Sequence, residues 1–109
     1  MSKSSEIKFM VHLDVNQVPE KIDWFAEDGG AASTCKAVMI SIWDEQEKNT
    51  LRMDLWNKEM TTDEMKHFFH QTIMTMADTF ERATGEAEMS QEMRDFSIYF
   101  ADKMKLISS

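Results

Sequence analysis

The sequence has little cysteine, proline or glycine: one, one and three in 109 residues. A lone Cys35 excludes an intrachain disulfide and leads us to expect a reducing compartment. Pro19 stands alone, so the chain is neither collagen-like nor a Pro/Gly-rich disordered segment. Positive charge is also short, with 12 Lys and Arg against 20 Asp and Glu, a net −8. Nucleic-acid binders need a basic stripe to displace counterions, and anionic membranes attract the same residues, so both partner classes are disfavoured. The acidity suits solubility or a basic partner. No apolar run approaches the roughly 18 residues of a membrane-spanning helix, and MSKSSEIKF lacks the apolar centre of a signal peptide. A cytoplasmic location is the expectation. Walker loop, dinucleotide fingerprint and Ser/His/Asp nucleophile patterns are missing, as are repeats.

What is present is enough for one small domain: 42% apolar residues, among them 11 methionines. Methionine fills irregular core gaps and is overused at adaptable binding surfaces.

The best-defined stretch is TTDEMKHFFHQTIMTMADTFERATG, residues 61–85. Thr61 with Glu64 makes a capping box, and Asp63 and Glu64 put negative charge at the positive end of the helix dipole. At about 100° per residue, Met65, Phe68, Phe69, Thr72, Ile73, Met76, Phe80 and Ala83 form one apolar stripe. Gly85 follows where a left-handed C-terminal cap favours glycine. A second helix is predicted from Glu86 to about Leu106, with Met89, Met93, Phe96, Phe100 and Met104 inward.

Ahead of these helices the period is two. Strands are predicted over Glu6–Val15, Lys21–Ala26, Cys35–Asp44 and Thr50–Trp56. A turn at Asn16–Pro19 separates the first two, with Pro19 suiting an edge strand. Glu27–Thr34, with two adjacent glycines, reads as a flexible loop. The charged segment Glu45–Asn49 joins the last two strands as a hairpin. The order β-β-β-β-α-α implies an α+β fold. Its form is a four-stranded antiparallel sheet of two hairpins, with two C-terminal helices on the cleaner aliphatic face. The opposite face then carries Met10, Met39, Trp43 and Trp56 among Lys8, His12, Ser41, Arg52 and Asp54. Large apolar side chains on a face open to water mark a contact surface. Met74 and Ile98, on the outer sides of the helices, join the same set of candidate partner-binding residues.

Candidates for chemistry are few. Glu64-x-x-His67 and His67-x-x-His70 have metal-like spacing, but a di-iron bundle needs a second copy and two further glutamates. The histidines also turn away from the apolar stripe, so no metal site is assigned. Arg52 and Asp54, two residues apart on one face, read as a structural ion pair, and Cys35 as a small hydrophobe. No catalytic or cofactor-binding residue is assigned, and the protein is expected not to be an enzyme.

Three stretches carry a family likeness: VPEKIDW, the long run TLRMDLWNKEMTTDEMKHFFHQTIMTMADTFERATG, and MRDFSIYFADKMKL. With SEIKF and SIWDEQEKNTLRMDLW they resemble, in register and nearly end to end, the gliding motility protein GldC family. The resemblance implies a single GldC-like domain over residues 1–109, frayed at 1–5 and 107–109. It also implies a non-enzymatic accessory protein of the bacterial gliding machinery, without cofactor or catalytic residues. The expected partner is a protein or a second copy of the chain. Architecture alone, an acidic β4α2 chain with an apolar sheet face, is similar to SecB-type export chaperones. A chaperone or adaptor for secretory polypeptides is therefore the alternative.

Overall fold

A computed structural model describes residues 3–28 and 30–106, with Ala31 by its backbone alone. The frayed ends expected at 1–5 and 107–109 fall partly outside that range; residues 3–5 are irregular and exposed. The chain forms two compact units that divide between Met60 and Thr61.

The first unit is β-structure. Strands β1 (Ile7–Leu13), β2 (Pro19–Ala26) and β3 (Ala31–Cys35) form an antiparallel sheet in the order β1-β2-β3. Strands β4 (Ala37–Asp44) and β5 (Asn49–Trp56) form a separate two-stranded antiparallel ribbon. The second unit is an antiparallel helix pair, α1 (Thr62–Thr84) and α2 (Ala87–Lys103). The α+β class with antiparallel sheets therefore stands, but the single four-stranded sheet gives way to sheets of three and two strands.

The extra strand lies in the stretch read as a flexible loop. Gly30 adopts φ +60 and donates its N–H to the Glu27 carbonyl at 3.2 Å, closing a tight turn. A side chain at that φ is strained, which is why glycine serves there. Ala31–Cys35 then runs back along β2, pairing Phe25 with Ala32, Trp24 with Ser33 and Ile22 with Cys35. Residues read as a loop become a strand here because the ladder to β2 satisfies their backbone; tertiary context overrides local preference. A bend at Lys36 ends β3 and begins β4. β2 is thus central, not an edge. Pro19 fits because it is the first residue of the strand, beside the irregularity between His12 and Leu13.

Short polar side chains organise the turns. Asp14 Oδ1 accepts from the N–H groups of Asn16 (2.8 Å) and Val18 (3.0 Å), while Gln17 takes φ +65. Asp44 Oδ2 accepts from the Glu47 N–H at 2.7 Å in the β4–β5 turn. Asn57, 7% exposed, donates its N–H to the Lys36 carbonyl at 2.8 Å, and its Oδ1 accepts from the N–H groups of Glu59 and Met60, both at 3.1 Å. Lys58 pairs with Asp14, tying the segment after β5 to the β1–β2 turn.

The helices end as their sequence dictates. Thr61 Oγ1 accepts from the Glu64 N–H and Glu64 Oε1 accepts from the Thr61 N–H, each at 3.0 Å. Gly85 takes φ +74 and donates to the Glu81 carbonyl at 2.8 Å. The seam between the helices is narrow: Ala77, Ser90, Ser97 and Ala101 are fully buried. This corrects part of the stripe expected on α2: Met93, Phe100 and Met104 are half-buried, but Met89 and Phe96 are each 51% exposed. Small side chains permit close helix approach, and the bulky ones are displaced to the flank. In the first unit Ile22 is fully buried, in the cross-strand row Val11, Ile22, Cys35.

Two outcomes follow from this packing. Ser97 Oγ is buried with no hydrogen-bond partner, so Ser97→Ala is expected to raise stability by about 1 kcal/mol. Ser97→Leu is expected to lower it by roughly 1–3 kcal/mol through overpacking; thermal or urea unfolding measures both. Lys58, by its hydrogen bond and charge, holds Asp14 below the ordinary carboxylate range, and Asp14 pushes the Lys58 ammonium up. A depressed carboxyl contributes stability above its unfolded pKa, about 3.9, and loses it as pH falls through the lower folded value. The raised lysine contributes below about 10.4 and loses it as pH rises through its folded value. Asp14→Asn is therefore less stable than the native chain at pH 7, and urea midpoints for the two converge in strong acid.

Candidate functional site

Alternation along β4 and β5 sorts their side chains onto two faces. One face holds Val38 opposite Leu55, Ile40 opposite Met53 and Ile42 opposite Leu51. The other holds Ala37 opposite Trp56, Met39 opposite Asp54, Ser41 opposite Arg52 and Trp43 opposite Thr50. Met39, Trp43 and Trp56 thus share a face, as the period of two requires. Trp43 is 67% and Trp56 56% exposed, and Met39 is half-buried. Between the tryptophans Arg52 is held in place: Nη1 donates to Ser41 Oγ at 2.8 Å and Nη2 to Asp54 Oδ1 at 2.6 Å. The face therefore combines two exposed indoles with one positioned guanidinium and its carboxylate. Such a surface offers aromatic contact area and a planar, bidentate donor to a partner.

Met10 sits elsewhere. It lies on the three-stranded sheet, in the row Met10, Asp23, Thr34, next to the row Lys8, Phe25, Ala32. These residues and His12 line an open groove of about 480 Å³. His12 Nε2 lies 3.1 Å from Asp23 Oδ2, and Lys21 Nζ 3.9 Å from the same oxygen. The expected single face of Met10, Met39, Trp43 and Trp56 is therefore divided between two sheets, because the bend at Lys36 ends one ladder and starts another. The groove escapes a reading that leaves β3 as a loop. The sequence signal for it is the Asp28-Gly29-Gly30 turn signature between residues able to pair.

On the helix pair, phase is fixed by the seam. Counting about 100° per residue from Ala77, Met74 lies on the same side as Asp78 and Glu81. Counting from Ser97, Ile98 lies on the same side as Arg94. Arg94 spans the seam, with Nη2 3.0 Å from Asp78 Oδ1 and 2.8 Å from Glu81 Oε1. Glu81 and then Asp78 push its guanidinium further up, so it is permanently charged. Met74 and Ile98 consequently share one side, level with each other a turn from this clasp. They are 38% and 55% exposed.

Groups considered for chemistry are dispersed. His67 is exposed and His70 half-buried on α1. Among the described residues no three His, Cys, Asp or Glu side chains gather as a metal site. Burial pushes the Cys35 thiol up, so it is protonated at neutral pH. Among the described residues no helix is long and apolar enough to cross a membrane.

The family profile described as gliding motility-associated protein GldC-like matches residues 19–106. The chain belongs to this family. Neither the curated proteins nor the solved structures give a match.

Exposure of the two ribbon indoles is directly measurable. Trp43→Phe with Trp56→Phe is expected to remove most of the acrylamide-quenchable fluorescence, leaving the half-buried Trp24 as the weakly quenched remainder.

Proposed function

We propose that this GldC-like protein is a non-enzymatic, cytoplasmic accessory component of the gliding motility machinery that acts by binding another protein. The observation that carries the reading is the ribbon face of β4 and β5. Trp43 and Trp56 stand more than half exposed there, around the Arg52–Asp54 pair. Binding hot spots are enriched in tryptophan and arginine, and a positioned guanidinium gives specificity at little entropic cost. Met10 in the sheet groove, and Met74 with Ile98 beside the Arg94 clasp, are secondary contact points on the same reading. The net charge of −8 favours a basic partner surface.

A second reading is a chaperone or adaptor for secretory polypeptides. The feature that favours it is the aliphatic ribbon face, where Ile42, Leu51 and Met53 are each about half exposed. An extended apolar segment could lie along such a face without sequence-specific contacts.

The test is genetic. Trp43→Ser with Trp56→Ser, introduced into a gliding bacterium in place of the native residues, is expected to abolish cell gliding while circular dichroism of the purified variant stays native. Normal gliding by the folded variant contradicts the ribbon face as the working surface. Suppression of aggregation of an unfolded client by the native protein, lost on Ile42→Ser with Met53→Ser, would instead support the chaperone reading.

A further inference from the structure

The side of the helix pair away from the Arg94 clasp is apolar. Counting about 100° per residue from Ala77, Phe69 and Met76 fall about 80–100° to one side of the seam, while Asp78 and Glu81 fall to the other. Counting from Ser97 on α2, Met89 and Phe96 fall by the same amount to one side, and Arg94 to the other. Arg94 reaches Asp78 and Glu81. Phe69, Met76, Met89 and Phe96 therefore share the opposite side, and each is 43–51% exposed. Phe96 also anchors an aromatic cluster, with its ring centroid 6.0 Å from Tyr99 and 6.4 Å from Phe100.

From this we infer that two copies of the chain pair through this side of α1 and α2, forming a two-fold four-helix bundle. Three observations select a second copy as the occupant. First, the centre of the side carries no charge, so two chains of net −8 meet there without opposing like charges at the contact. Second, at half exposure each bulky side chain leaves about 100 Å² open. The four give roughly 400 Å² per copy, and the apolar stems of the exposed rim residues Glu92 and Lys103 bring two copies to the roughly 1,000 Å² that a specific interface needs. Third, the rim is self-complementary. Glu92 and Lys103 flank Phe96 on α2, and both are exposed. A two-fold axis beside Phe96 and Phe100 runs α2 antiparallel to its copy. Glu92 of each chain then stands level with Lys103 of the other. Antiparallel helix hairpins with short connections stack in this way in four-helix bundles.

The inference rests on the reading of the chain as an interaction protein, but it uses the helices and not the ribbon. Sedimentation equilibrium of the full chain from 1 to 200 µM tests it. The expected result is a concentration-dependent shift from the 12.7 kDa monomer to twice that mass. Phe96→Glu is expected to weaken association by about thirtyfold or more, the loss of one buried aromatic anchor. Gln71→Glu, on the clasp side and exposed, leaves it unchanged. If Phe96→Glu fails to fold, Met89→Glu carries the same test. A native chain that stays monomeric at 200 µM overturns the inference, as does a Phe96→Glu or Met89→Glu dimer of native strength. Either result, with gliding still lost in the Trp43→Ser, Trp56→Ser variant, leaves the proposed function standing.

Discussion

Apolar faces that no layer within their own unit fully covers are the constraint that shapes the rest of this protein. A sheet or helix with one apolar face is stable only when the face is set against something. The ribbon of β4 and β5 has Ile42, Leu51 and Met53 about half exposed on one side and Trp43 and Trp56 more than half exposed on the other. A two-stranded ribbon alone is marginal in water. The helix pair closes its own seam with Ala77, Ser90, Ser97 and Ala101, and has no second layer within the unit for Phe69, Met76, Met89 and Phe96. The hydrophobic gain available to the chain is therefore only partly realised inside each unit. The reading as an interaction protein follows from that surplus rather than from any motif.

The polar side chains hold these layers in shape. Asp14, Asp44 and Asn57 each satisfy backbone N–H groups at a turn, which fixes where one strand stops and the next element starts. Arg94 and Arg52 have a different role. Each is fastened by carboxylates, Arg94 to Asp78 and Glu81, Arg52 to Asp54, and each sits beside exposed apolar residues. Exposed ion pairs add little stability. Their effect here is to fix the orientation of a charge next to Trp43 and Trp56, or next to Met74 and Ile98.

Local signals were legible in the sequence. The capping box at Thr61 and Glu64 and the glycine at 85 are nearest-neighbour chemistry, and they place α1 to within a residue. Period two placed Met39, Trp43 and Trp56 on one face of the ribbon. What escaped depends on distant partners. Ala31–Cys35 has weak strand propensity and becomes β3 only because β2 pairs with it. The division into two sheets turns on the bend at Lys36, which no local pattern announces, and it separates Met10 from the tryptophans. On α2 the apolar stripe was visible, but the seam belongs to serines and alanine beside it. A helical wheel ranks residues by hydrophobicity, whereas close packing of two helices selects for small volume.

The methionines give the most direct measurement of the claim that the uncovered apolar side of the helix pair takes a second copy of the chain. Mild peroxide oxidises accessible methionine to the sulfoxide, and peptide mass spectrometry reads each site. Met76 and Met89 lie on the apolar side of the helix pair, and Met74 on the clasp side; all three are exposed. The account predicts that oxidation of Met76 and Met89 slows severalfold as the protein is concentrated, while Met74 oxidises at one rate throughout. Equal rates for all three at every concentration would contradict it.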